Sequence, residues 1–143
     1  MRYALICILS CLFSSICFAQ VDDLREGQSW SFKNAPHSDT RLVIGKIEPF
    51  RGGEEVAVGV SVVRLHSERG LLIGGSIGHL PFSLKSLRPH LLELDKEPLP
   101  LDEVFINGYQ AWKMAVQQEG AGVFTIPPAE AIEFVFTTVG EGQ

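Results

Sequence analysis

The sequence predicts an α+β domain: a small, mostly antiparallel sheet of three or four strands, with two or three helices packed on one face. Three observations predict it. Residues 27–65 hold three runs with strand periodicity. Residues 107–126 read as a helix, a glycine turn and a short extended run. Pro128 followed by Ala129-Glu130-Ala131 opens a second helix, since proline is favoured at the first helical position. Strands come first and the helices pack on them, which is an α+β arrangement.

The chain opens with Arg2, an apolar run, and small residues Cys17 and Ala19 before Gln20. This is the pattern of a cleavable secretory signal peptide over residues 1–19, leaving residues 20–143 as a single domain. An uncleaved anchor is the competing reading, but a span needs about 20 predominantly apolar residues, and Ser10, Ser14 and Ser15 interrupt this one. Lipidation would need a lipoprotein cleavage box, and Ile8-Leu9-Ser10-Cys11 is the nearest candidate. All three cysteines lie in this segment, so residues 20–143 contain no disulfide, thiolate nucleophile or cysteine metal ligand. A cysteine-free exported domain fits a bacterial periplasm, and a domain of this length can bury a core without disulfides. The net charge of −5 becomes more acidic without Arg2, which disfavours nucleic acid and anionic membranes as partners.

In residues 27–33, Trp30 and Phe32 share one face of a half-buried strand. Residues 41–50 form the second strand, and Arg51-Gly52-Gly53 a turn. Residues 55–65 form the clearest strand, with Val56, Val58, Val60 and Val62 on one face and Ala57, Gly59 and Ser61 on the other. A face so bare admits a closely packed helix or, alternatively, a ligand; helix packing is the commoner use. Residues 71–73 are a further extended run.

Gly74-Gly75-Ser76-Ile77-Gly78 has the letters of a nucleophile elbow. The mechanism needs a strand before the serine, a helix after it, and an acid and then a histidine downstream. Here Gly78-His79-Leu80-Pro81 follows, and Asp95 and Asp102 come after the last histidine. Ser83 can cap a helix running to Leu94, with Leu84, Leu87, Leu91 and Leu94 as its stripe; Pro89 kinks it or makes Ser86 the cap. His37, His66, His79 and His90 show no metal-ligand spacing, and no cofactor motif occurs.

Asn107, with Gln110 three residues on, resembles a capping box. Tyr109, Trp112 and Val116 form the apolar stripe of the helix it starts, and Gly120 ends it. The extended run 123–126 stops at Pro127-Pro128. Residues 129–139 combine a helical start with a β-branched, aromatic end, and a C-terminal helix is the expectation.

The candidate binding residues are His79, Tyr109 and Trp112. Each also has a structural reading: His79 as a hydrogen-bonded framework histidine, the two aromatics as core. The functional expectation is an exported, periplasmic or secreted, non-catalytic binding protein with a protein partner in the cell envelope. One form of it inhibits an envelope or secreted enzyme. The alternatives are a small envelope hydrolase using Ser76 and His79, and an accessory subunit of an envelope complex. No cofactor, no metal, no nucleic acid and no membrane span after cleavage is expected.

Overall fold

The structure, a computed structural model, describes residues 23–66 and 75–141, with side-chain environments as far as residue 138. The expected signal segment, the run 71–73 and Gly74 of the elbow-like motif lie outside the described residues. Five strands form one sheet: β1 (Ser29–Phe32), β2 (Arg41–Phe50), β3 (Glu55–Val63), β4 (Ile77–Ser83) and β5 (Leu91–Leu94). Their order is β4-β3-β2-β1-β5, and every neighbouring pair is antiparallel. Three α-helices accompany it: α1 (Leu84–Leu87), α2 (Glu103–Gln117) and α3 (Pro128–Glu141). The α+β architecture is therefore as expected, with five strands rather than three or four.

The hairpin β2–β3 is the centre of the sheet. Its turn, Arg51–Gly53, takes positive φ at all three residues (50°, 69° and 92°), and two glycines make that conformation inexpensive. The ladder runs from Arg41↔Val63 to Phe50↔Glu55, with one register shift between Ile44 and Lys46. Gly45 is the extra residue of that bulge. Opposed residues share a face, so Leu42, Ile44 and Ile47 fall with Val62, Val60 and Val58. Trp30, Phe32, Leu80 and Phe82 join this set. Leu87 of α1 and Ala131 and Ile132 of α3 close over it, forming the main core.

The opposite face carries Gly45, Ala57, Gly59 and Gly78, and α2 lies across it. A Cβ on Gly45 would stand 2.1 Å from the Phe105 ring, and one on Gly78 would stand 2.5 Å from the Val104 side chain. Phe105 is 4% exposed there, and burial of such a ring contributes about 2–3 kcal/mol. The bare face of β3 is thus a seat for a helix. The helices consequently divide between the two faces of the sheet, where the sequence suggested one: valines on one side of β3 and absent side chains on the other each create a surface that must be covered.

Three local expectations change. The helix expected to reach Leu94 stops at Leu87; a 3₁₀ turn through Pro89 follows, and Leu91–Leu94 becomes edge strand β5 beside β1. Ser83 does cap α1, accepting from the Ser86 amide. α2 begins at Glu103, capped by Asp102, whose carboxylate accepts from the Phe105 amide at 3.1 Å; Asn107 lies inside the helix. The run 123–126 contributes a single parallel bridge, Phe82↔Phe124. α3 begins at Pro128, as its sequence predicts. Among the described residues no helix is long and apolar enough to cross a membrane.

Candidate functional site

His79 reaches its position through a second bulge. On β4, Leu80 faces Val60 but Ile77 faces Val62, so the register shifts between them. The shift leaves two consecutive residues, Gly78 and His79, on the glycine face, between Ile77 and Leu80 of the core. A Cβ on Gly59 would stand 2.7 Å from His79 Nε2, and one on Gly108 of α2 would stand 2.8 Å from His79 Cβ. The imidazole is therefore held between the sheet and α2 at a place where both elements lack side chains.

Three aromatic rings of α2 surround it. Phe105, Tyr109 and Trp112 have centroids 5.4, 5.8 and 5.6 Å from the imidazole. Spacings of three and four residues bring all three to one side of the helix. His79 Nε2 is buried and makes no hydrogen bond. Burial pushes the His79 pKa down to about 4, partly offset by the negative charge of Glu48. The ring is thus neutral at neutral pH.

Glu48 organises the outer edge of the cluster. Its carboxylate accepts a short hydrogen bond from the Tyr109 hydroxyl and pairs with Lys113 Nζ at 2.6 Å. Burial pulls the Glu48 pKa up, but the hydrogen bonds from Lys113 and Tyr109 outweigh it and hold it below the usual value. Tyr109 moves the other way: burial, then the hydrogen bond and charge of Glu48, push its phenol up to about 12. Trp112 stacks on Phe50 at 6.0 Å and donates from Nε1 to the Gly122 carbonyl at 2.8 Å.

The sequence-selected residues His79, Tyr109 and Trp112 thus meet in one cluster, and all three are half-buried. Glu48, Phe105 and Lys113 belong to it as well and were not singled out from sequence. Simple alternation along β2 assigns Glu48 to the same face as Leu42 and Ile44. The bulge at Gly45 reverses that parity and brings Glu48 opposite Ala57. The one available signal was the glycine itself, since a glycine inside a strand marks a bulge or a close approach.

Chemically, the cluster holds a neutral imidazole against rings and backbone. A general base working near neutrality needs a pKa close to the working pH and a proton within reach of about 2.6–3.2 Å. His79 meets neither condition here. Ser76 stands just before β4, so a strand follows it where a nucleophile elbow requires a helix. Elsewhere, His66 Nε2 pairs with Asp39 at 2.8 Å on the surface, and the His37 ring meets His66 edge-on at 4.9 Å. Among the described residues no three histidine, cysteine or acidic side chains are placed to hold a metal ion. Comparison of the chain with family models, curated proteins and solved structures finds no match.

Proposed function

We propose that the protein is an exported, non-catalytic binding protein of the periplasm or the extracellular medium. It engages a protein partner through the solvent-facing side of α2, and inhibition of an envelope or secreted enzyme is the form this takes. One observation carries the reading: α2 leaves Val104, Ile106 and Met114 at 56%, 49% and 61% exposure beside the half-buried Tyr109 and Trp112. Ile106 and Met114 recur at helical spacing with Gln110 between them, so they form one stripe. Apolar residues beside tyrosine and tryptophan are the composition of binding hot spots. Export rests on the sequence pattern of residues 1–19.

The hydrolase alternative needs His79 turned from Gly59 toward a nucleophile, and no observed contact favours it. An accessory subunit of an envelope complex uses the same surface with a permanent partner.

Two measurements test the proposal. Mass spectrometry of the exported protein should show a chain beginning at Gln20. Affinity capture from envelope extracts of the host should recover one stoichiometric partner. The double variant Ile106→Ser/Met114→Ser, folded by circular dichroism, should lose that partner, whereas Leu92→Ser on β5 should keep it. A partner retained by the α2 variant, or none recovered by wild type, removes the proposal.

A further inference from the structure

A separate groove lies where β3 begins, at the α1 corner, and no α2 residue lines it. Two adjoining hollows of about 410 and 490 Å³ share Glu55, Ser83, Lys85 and Pro89 in their walls. Both fall within the roughly 300–1,000 Å³ range of small-molecule sites. The sheet supplies one wall through Glu55 and Val56, and Glu54 extends it. The short helix and the 3₁₀ turn supply the other through Lys85, Arg88 and Pro89.

The charges on the two walls are opposite in sign. Glu54 and Glu55 stand on the sheet side, Lys85 and Arg88 on the helix side. Glu55 Oε2 is buried and makes no hydrogen bond; its ionic contact, with Arg51, is at 3.6 Å. A buried carboxylate oxygen without a donor is costly, and a donor brought by a ligand would relieve that cost. Lys85 has no acidic partner among the described residues. Ser83 and Ser86 keep the corner rigid: Ser86 Oγ reaches the Phe124 carbonyl at 3.1 Å, and the Ser83 amide donates to that same oxygen at 2.9 Å. The helix wall is therefore tied to the chain that leads into α3.

We infer that this groove is a binding site for a short peptide with a free carboxylate and an amino or guanidino group. Its carboxylate lies toward Lys85, its cationic group toward Glu55, and its apolar body on Val56 and Pro89. The inference is independent of the α2 surface.

The test is an NMR titration of the purified protein with a millimolar pool of tripeptides that have Lys or Arg first, an apolar middle residue and a free C-terminus. Amide shifts should concentrate at Glu55, Val56, Lys85 and Arg88. C-terminal amidation of the pool, or the variant Lys85→Gln, should weaken binding about tenfold, as expected on losing a charged hydrogen bond. Glu55→Gln should weaken binding of the cationic pool similarly and leave an N-acetylated pool with norleucine first unaffected. Ile106→Ser on α2 should change nothing. No localised shifts, or equal binding of the amidated pool, overturns the inference. Circular dichroism of each variant separates lost binding from lost fold.

Discussion

The side chain that Gly59 lacks would stand 2.7 Å from Nε2 of His79. The φ of Gly59 is not in the left-handed region, so the glycine is there for space rather than for backbone freedom. His79 itself is fixed on its far side by Gly108, where a Cβ would come within 2.8 Å of His79 Cβ. Phe105, Tyr109 and Trp112 pack around the ring. An added methyl group at residue 59 therefore forces the ring, and α2 with it, away from the sheet. Gly59→Ala should cost about 1–3 kcal/mol in urea denaturation, the range for overpacking. Truncating the ring in the same chain should recover part of it, so Gly59→Ala and His79→Ala should be non-additive. Additive effects would show that the two residues do not share this space.

Stability should depend on the protonation of His79. Its pKa is about 4 in the fold and 6.5 in the unfolded chain, so the unfolded state binds a proton first as pH falls. The fold has full stability from this group above pH 6.5, and loses it as pH falls from 6.5 through about 4. Because the ring is part exposed, solvent screening reduces the expected loss to about 1–2 kcal/mol. Glu48, held below its ordinary value, adds a loss of the same sign at lower pH. Denaturation curves recorded across this range should slope between pH 6.5 and 4 in wild type, and much less in His79→Phe. An unchanged slope in that variant would assign the titration to other groups.

Much of the architecture was legible because its signals were local. The limits of β2 followed from its apolar run and from the glycine turn, and Pro128 marked the start of α3. β4 was not legible, because Gly78 and Pro81 break its pattern. As an edge strand it tolerates a proline, which only pairing partners reveal. β5 is hidden in the sequence because Leu84, Leu87, Leu91 and Leu94 imitate a helical stripe. Pro89 ends the helix, and pairing with Trp30 and Phe32 decides the rest. The candidate residues on α2 were legible from their spacing. Their environment depended on two bulges, one at Gly45 and one between Leu80 and Ile77, that alternation does not encode.

The Glu48 carboxylate should be visible in the ionisation of Tyr109. The chain has two tyrosines, Tyr3 and Tyr109, so a chain prepared to begin at Gln20 reports Tyr109 alone. Ultraviolet titration of the phenolate should give a midpoint near 12 in wild type. Glu48→Gln removes the negative charge that holds the proton, so its midpoint should fall toward the ordinary value of 10.0. The same variant should lose about 1 kcal/mol of stability, the size of a part-exposed ion pair and hydrogen bond. A midpoint near 10.0 in wild type would show that the Tyr109–Glu48 bond does not persist in solution.

The start of α2 offers a direct comparison between two residues that could each have capped it. Asp102 has extended backbone, and its carboxylate accepts from the Phe105 amide, which satisfies one of the free donors of the first turn. Its charge also sits at the positive end of the helix dipole. Asp102→Ala should therefore cost about 1 kcal/mol, within the 0.5–2 range for lost caps. Asn107 is exposed, lies inside the helix, and has a side chain poorly suited to a helix interior. Asn107→Ala should be neutral or stabilising by up to about 0.5 kcal/mol. The two effects have opposite sign because the helix extends one turn further toward its N-terminus than its strongest polar signal suggests. That extra turn carries Phe105, the residue that fills the space over Gly45. Chemical denaturation of both variants decides the matter: a cost at Asn107 and none at Asp102 would place the helix start where the sequence alone puts it, and would detach Phe105 from the sheet.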